Sequence, residues 1–343
     1  MGQTAAMAAV SPVRSSPLPS RLPLAFARRR VLLVGDLVAD HYIYGQTDRV
    51  SREAPVLIVR YESAEVKLGG GANVAANVRA LSGQVTAVGV LGADEMGGEL
   101  RRLFSESGVR LHAVGGRGLA TETKTRILAG GVSTTRQQML RLDRGQHAAL
   151  PPRVRKALAK HVAEAARDAD AVVVSDYGAG VLGDEVREVL RKLAADGLPV
   201  CVDSRYALPS FSGLTVCKPN EPELEALSGR SVRSEEDLLA AGREALRRLD
   251  CRALLVTRGR HGMALFDAEG GVDFIPVHGA KAAVDVTGAG DTVIATFALS
   301  VAAGASFGEA ARLANVAGSM VVQKPGTATV SRDELLAELR SSR

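Results

Sequence analysis

AVVVSDYGAGVLGDEVREVLRKLAADGLPVCVD, residues 171–203, contains one whole unit of the pattern that decides the fold. AVVVSD (171–176) and PVCVD (199–203) are short, near-continuous apolar runs, the pattern of strands buried on both faces of a parallel sheet. Residues 183–196 between them read as a helix, and a strand–helix–strand unit crosses over to pair in parallel. The rhythm extends in both directions. VLLVGD (31–36) and VTAVGVLG (85–92) precede it, LTVCKPN (214–220) and ALLVTRG (253–259) follow, and helical stretches lie at 71–82, 95–107, 151–168 and 234–250. Near the C-terminus the pattern turns helical, at 288–304, 307–323 and 331–340. This alternation predicts α/β architecture, a doubly wound sheet with helices on both faces.

Two stretches break the rhythm. APVLIVRY (54–61) and TETKTRILAGGVSTTRQQMLRLD (121–143) read as extended strands, the second as a hairpin around Gly130-Gly131. Too short for a second core, they predict a small β-sheet, drawn from about 41–62 and 120–143, laid over one edge of the main domain. Such a sheet serves as a lid that excludes water during group transfer, or equally as an edge extension or the contact of a homodimer.

The 343 residues are 46% hydrophobic and 24% charged, an ordinary globular balance that suits one large domain. The pI near 9.3 looks basic, but residues 1–30 hold Arg14, Arg21, Arg28, Arg29 and Arg30 and no acid. With those five arginines set aside, 38 basic residues stand against 38 acidic ones. The body is neutral, which argues against nucleic acid as a partner. Aromatics are 3% and Trp is absent, so no base-stacking platform is expected. Cys201, Cys217 and Cys251 show no metal-ligand or disulfide spacing, as in a reducing, cytoplasmic setting. No apolar run reaches the roughly 18 residues of a membrane span. Residues 1–29 read as a disordered extension, with an organelle transit peptide as the alternative, and residues 30–343 as the folded domain.

The chemistry concentrates in VDVTGAGDTVIATF (284–297). An extended VDV leads through Gly288-Ala289-Gly290 into an apolar helix beginning near Asp291. Glycines at such a turn let backbone N–H groups converge at a helix N-terminus and form an anion hole. An acid there repels a bound phosphate, so Asp291 needs a reason to be present. Taking a proton from an attacking hydroxyl is one. A plain N-cap is the competing role, and Asp285, six residues upstream, favours catalysis. No GxxxxGK[ST] occurs, and GGGAN (69–73) is not GxGxxG, so neither a P-loop nor a dinucleotide oxidoreductase is supported.

VDVTGAGD and GGGANVAANVRALSG (69–83) resemble the two signatures of the ribokinase-type (PfkB) sugar kinases. VGD (34–36), SDYGAGVL (175–182), KPNEPE (218–223) and TRGRHGM (257–263) follow in the matching order, so the resemblance covers roughly residues 30–340. It implies a ribokinase-like three-layer αβα sandwich with a small β-sheet lid, and ATP as phosphoryl donor. DLVADHYIYGQTDRVSREAPVLIV (36–59), TKTRI (123–127) and RLD (141–143) further resemble the D-glycero-β-D-manno-heptose-7-phosphate kinases. Those enzymes phosphorylate the C1 hydroxyl on the route to ADP-heptose, a lipopolysaccharide precursor. No HxGH motif of the adenylyltransferase in their bifunctional forms occurs, which implies a single activity. The chain departs from that pattern at Ala179, usually Lys, and at Asp203-Ser204-Arg205, usually DPK. A kinase for a plain sugar or nucleoside, and a ligand-binding pseudokinase, are the rival readings.

The resemblance also assigns roles. Asp36, Asp40, Gly69, Gly70, Gly71 and Asn73 would line the sugar site, Asn73 having a helix cap as its alternative. Lys124, Arg126, Arg141 and Arg205 are the candidate cations for a phosphate already on the sugar, each equally readable as a solvated surface charge. Asn220 and Glu223 match an NxxE that organises Mg²⁺ through water, consistent with the few protein ligands Mg²⁺ takes. Thr257, Gly259, Gly262 and Asn315 fall on the nucleotide site. Asp285 and Thr287 resemble ligands of a monovalent cation, K⁺, in related kinases.

Overall fold

The computed structural model describes residues 19–116, 118–131, 136–145, 149–279 and 282–341. After a 3-10 helix at Leu22–Arg28 come β1 (Arg30–Gly35), β2 (Leu37–Val50), β3 (Leu57–Gly70), α1 (Gly71–Ala80), β4 (Gln84–Gly92), α2 (Glu95–Glu106), β5 (Arg110–Gly116), β6 (Glu122–Gly130) and β7 (Gln137–Arg144). Next are α3 (Pro152–Ala166), β8 (Ala171–Asp176), α4 (Asp184–Ala195), β9 (Val200–Ser204), β10 (Val216–Cys217), α5 (Glu221–Ser228) and α6 (Glu235–Leu249). The chain ends with β11 (Ala253–Thr257), β12 (Met263–Asp267), β13 (Val272–Ile275), α7 (Ala289–Ala302), α8 (Phe307–Val321) and α9 (Arg332–Ser341).

Nine strands form the main sheet in the order β13-β12-β11-β10-β9-β8-β1-β4-β5. From β5 to β11 every pairing is parallel, and β12 and β13 add an antiparallel edge. The apolar runs explain the layering. Along β1, Val31 and Leu33 enter the core on one face, while Leu32 and Val34 enter the core on the other. α1, α2, α7, α8 and α9 cover the first face, and α3, α4, α5 and α6 the second. Each fully buried Val or Leu contributes about 1.5–3 kcal/mol, so alternation along a continuous apolar strand stabilises both layers at once.

α7 is apolar around its circumference and buried from Asp291 to Ser300. Its hydroxyls need internal partners. Thr296 and Ser300 donate to the carbonyls of Thr292 and Thr296 at 2.8 and 2.7 Å, and Thr292 donates to Asn77 Oδ1 at 2.8 Å.

The smaller sheet runs β3-β2-β6-β7. It contains the strands read at 54–61 and 121–143, but β2 and β3 together reach from Leu37 to Gly70, beyond the expected limits of about 41–62. The β6–β7 hairpin is antiparallel as read, with its residues 132–135 outside the described ones. A single residue, Asp36, separates β1 from β2, and β3 passes directly into α1 at Gly70 and Gly71.

The N-terminal boundary differs from expectation. Residues 22–28 are not part of a disordered extension, because Phe26 is fully buried in the core that holds α7 and α9. Pro23 starts the helical turn and one aromatic ring supplies the apolar surface that holds it. Residues 1–18 lie outside the described ones. All three cysteines are free and buried.

Candidate active site

The carboxyl ends of β1, β8, β9 and β11 meet the N-termini of α1, α5 and α7, the usual crevice for ligands in an open α/β sheet. Asp291 sits there in the first turn of α7, 4% exposed. Its Oδ2 accepts from Asn73 Nδ2 at 2.7 Å, and its Oδ1 accepts from the Tyr177 hydroxyl at 3.1 Å. Asn73 is steadied by Asn77, whose amide donates to the Asn73 carbonyl at 2.9 Å. Burial raises the Asp291 pKa to about 7, with the Asp203 charge adding to the rise while Asn73, Tyr177 and Lys218 oppose it. A carboxylate poised near neutrality suits a general base. The N-cap of α7 is Gly288, so capping is not the role of Asp291.

Gly288 adopts φ 78°, a left-handed conformation that swings the chain from the extended segment into α7. One N–H group of the Gly288-Ala289-Gly290 turn is spent within it. The Ala289 N–H points back to the Val286 carbonyl at 3.2 Å, because that bond closes the turn. The N–H groups of Gly288, Gly290 and Asp291 have no acceptor among the described residues, which leaves them for an anion at a helix N-terminus. Beside them Lys218 Nζ contacts Asp203 Oδ2 at 2.9 Å. A Cβ on Gly290 would lie 3.4 Å from that Nζ, which places the pair against the turn.

On the acceptor side, Asp36 Oδ2 takes the N–H groups of Tyr177 and Ala179 at 2.7 and 3.1 Å. Its Oδ1 is buried with no partner, an acceptor suited to a ligand hydroxyl, and burial raises its pKa to about 6. Asp40 pairs with Arg126 at 2.6 Å. The strand register puts Asp40, Tyr42, Lys67, Lys124, Arg126, Arg141 and Asp143 on one face of the lid. That face looks into the crevice, for Lys124 Nζ lies 4.5 Å above the Tyr177 ring. Burial lowers the Lys124 pKa. Arg141 is exposed and bonded twice to Asp143, at 2.7 and 2.6 Å, so it stands at the rim. Arg205 is exposed just beyond β9. Of the four candidate cations, Lys124, Arg126 and Arg141 thus share a face, with Arg126 and Arg141 already paired to carboxylates.

Across the crevice, Asn220 and Glu223 form a capping box on α5. Glu223 N donates to Asn220 Oδ1 at 2.8 Å, and Asn220 N donates to Glu223 Oε2 at 2.9 Å. Burial raises the Glu223 pKa, and nearby Asp203 adds to it. Among the described residues no three His, Cys, Asp or Glu side chains gather as a metal cage. A Mg²⁺ that keeps most of its waters fits so sparse a set. Thr257 bridges to Asn220, and its N–H donates to the Pro219 carbonyl at 2.9 Å, joining β11 to the same corner. Gly259 begins a short 3-10 turn that Gly262 ends. A Cβ on Gly262 would lie 2.0 Å from the Ile275 carbonyl oxygen, so only glycine fits there. Asn315 Nδ2 donates to the Pro276 carbonyl at 2.7 Å and ties α8 to the end of β13. Asp285 accepts from Thr287 N at 2.9 Å and Gly326 N at 2.8 Å. It is therefore a loop clamp, with its pKa lowered by those bonds against the opposing effect of burial.

Three participants lie in motifs quoted from the sequence but were given no role there: Tyr177, Asp203 and Lys218. Tyr177 directly follows β8, and Lys218 directly follows β10; strand-end position in an α/β sheet was the available signal.

The pfkB family carbohydrate kinase profile matches residues 28–334. The chain is 42% identical over 313 residues to the D-beta-D-heptose 7-phosphate kinase of Bordetella bronchiseptica, covering 91% of this chain and 96% of that protein. It is 39% identical over 313 residues to the bifunctional protein HldE of Citrifermentans bemidjiense, covering 90% of this chain and 63% of that longer protein. In fold it is similar to Escherichia coli phosphofructokinase-2 in complex with substrates and products, with TM-score 0.74 and 22% identity over 92% of this chain and 100% of that one. It is likewise similar to Arabidopsis thaliana ribokinase complexed with ribose and ATP, with TM-score 0.71 and 23% identity over 91% and 98% of the two chains. The ribokinase-like αβα fold with its lid sheet, and a sequence match that runs through both signatures, lead to one conclusion: this chain belongs to the pfkB family of carbohydrate kinases.

Proposed function

We propose that the chain transfers the γ-phosphoryl group of ATP to the C1 hydroxyl of D-glycero-β-D-manno-heptose 7-phosphate, giving the 1,7-bisphosphate of the ADP-heptose route. The observation that carries the transfer is Asp291, a buried carboxylate with a pKa near 7, one residue from the unpaired Gly290 N–H. Asp291 accepts the proton of the attacking hydroxyl, and the Gly288 and Gly290 N–H groups receive the charge growing on the phosphoryl oxygens. Asp36 Oδ1 orients the sugar by taking one of its hydroxyls. Asn220 and Glu223 would hold Mg²⁺ through water, and that ion, when bound, neutralises phosphate charge. Asp285 and Thr287 would border a K⁺ site.

The acceptor's identity is supported by the Bordetella relative and by the inward lid face, where Lys124 and Arg126 stand side by side for a sugar phosphate. The opposite face of the lid carries Ile43, Ile127, Leu140 and Leu142, of which Leu140 and Leu142 are exposed. It suits a second copy of the chain. Among the described residues no helix is long and apolar enough to cross a membrane, and a cytoplasmic enzyme fits the free cysteines.

The test is ATP consumption with heptose 7-phosphate, fructose 6-phosphate, fructose and ribose as acceptors. Heptose 7-phosphate should give the highest kcat/KM. Faster turnover of an unphosphorylated sugar would refute the acceptor and leave the family standing. A Leu140→Asp, Leu142→Asp double variant examined by light scattering tests the dimer.

A further inference from the structure

We propose that the Tyr177 hydroxyl is a placeholder for the acceptor: it occupies the seat on Asp291 that the attacking hydroxyl takes, and so keeps water off the base until a sugar displaces it. The inference rests on the kinase reading above and adds how the site avoids hydrolysing ATP when no sugar is present. A base beside a phosphate-binding turn assists any hydroxyl that reaches it, and water is the smallest and most abundant.

The geometry of Asp291 separates its two oxygens by role. Oδ2 is held by the Asn73 amide, which lies beneath the turn; a Cβ on Gly288 would be 2.7 Å from Asn73 Nδ2. Oδ1 carries the Tyr177 hydroxyl, and Tyr177 comes from the acceptor side, its own N–H bonded to Asp36 at 2.7 Å. The Tyr177–Asp291 contact, at 3.1 Å, is long for a hydroxyl donating to a carboxylate. It fills the seat without holding it tightly. A sugar hydroxyl that bonds the unpartnered Asp36 Oδ1 arrives beside Tyr177 and competes for the same place. The ring is covered from the lid by Lys124, 4.5 Å away, so moving Tyr177 also alters a lid contact. Sugar binding, release of Tyr177 and exposure of the base become one event.

Tyr177→Phe keeps the ring, the backbone bond to Asp36 and the Lys124 contact, and leaves room for about one water beside Oδ1. General-base assistance is of order 10²–10⁴-fold. Hydrolysis of Mg-ATP without any sugar should therefore rise at least about tenfold over the wild type. The acceptor KM should fall, since the sugar then displaces a water and not an anchored side chain. Unchanged hydrolysis, or hydrolysis that drops in proportion to kcat, overturns the proposal and leaves Tyr177 as a support for Asp291. The hydrolysis arm contains no sugar, so its outcome is independent of whether heptose 7-phosphate is the acceptor. Fluorine NMR of wild-type protein labelled with fluorotyrosine gives a second reading. The resonance missing from Tyr177→Phe must shift when acceptor is added, and a static resonance at saturating acceptor also overturns the proposal.

Discussion

Asp291→Asn should cost the enzyme its activity and make it more stable, and the two effects share one cause. Burial raises the carboxyl from the ordinary 3.8 to about 7, so the folded protein binds this proton more tightly than the unfolded chain does. Stability from this group is therefore present at low pH and is lost as pH rises from about 4 to about 7. Every tenfold gain in proton affinity is worth about 1.4 kcal/mol, so a gain of roughly a thousandfold places the cost of the ionised carboxylate near 4 kcal/mol above pH 7. At pH 5 a little over a third of that cost remains, and below about pH 4 almost none. The amide is nearly isosteric. Its oxygen can accept from Asn73, and its NH₂ can donate to the Tyr177 hydroxyl, which both donates and accepts. The assay is thermal unfolding of both proteins at pH 5, 7 and 8.5, with kcat measured on the same samples. The melting-temperature advantage of Asp291→Asn should widen by several degrees between pH 5 and 8.5, while kcat falls by about 10²–10⁴. An advantage that does not grow with pH would refute the buried-charge argument, and retention of more than about a tenth of kcat would refute the base.

The wild-type kcat/KM should itself fall about tenfold per pH unit below the Asp291 pKa; a flat profile from pH 5 to 8 would exclude this carboxylate as the base. Lys218→Met removes the cation that opposes the Asp291 rise and leaves Asp203 unpaired beside it, so the acid limb of that profile should move to higher pH, read from initial rates across pH. Phe26→Ala empties a fully buried site in the larger core and should lower stability by about 3–5 kcal/mol in denaturant titration with kcat little changed. Arg126→Ala leaves Asp40 buried without its 2.6 Å partner; the KM for a phosphorylated acceptor should rise at least about tenfold, a larger change than for a plain sugar measured alongside.

The main sheet was legible because its strands are buried on both faces, so VLLVGD and AVVVSD carry unbroken apolar runs that no other element of that length needs. β12 and β13 were not, because an antiparallel edge hairpin of five and four residues repeats too briefly to show a period. Phe26 lies in a segment whose Arg, Pro and Ser content outweighs one decisive ring. In the site, glycine spacing marked the turn before Asp291, since the backbone conformation at Gly288 is a local requirement. Whether Ala289 would spend its N–H on Val286 was not local in that sense. The Asn220–Glu223 spacing satisfies two readings at once, a helix capping box and a metal-organising pair, and sequence offers no means of ranking them. Tyr177 and Lys218 reach Asp291 and Asp203 only through strand order, which brings β8, β9 and β10 together with the start of α7.

The passage from β1 to β2 through Asp36 alone, and from β3 to α1 at Gly70 and Gly71, has a mechanical corollary. A tilt of the small sheet against the large one must bend these two short joints, and the Gly71 N–H to Asp36 carbonyl bond of 2.9 Å ties one joint to the other. The hinge pin is thus also a sugar ligand in the proposed reaction. A sugar gripping Asp36 stiffens the axle on which the cover swings, with no relay of side chains between the two. Affinity for the acceptor and the resting angle of the cover are then a single adjustable quantity, and substitutions at Asp36 or Gly70 will shift both together.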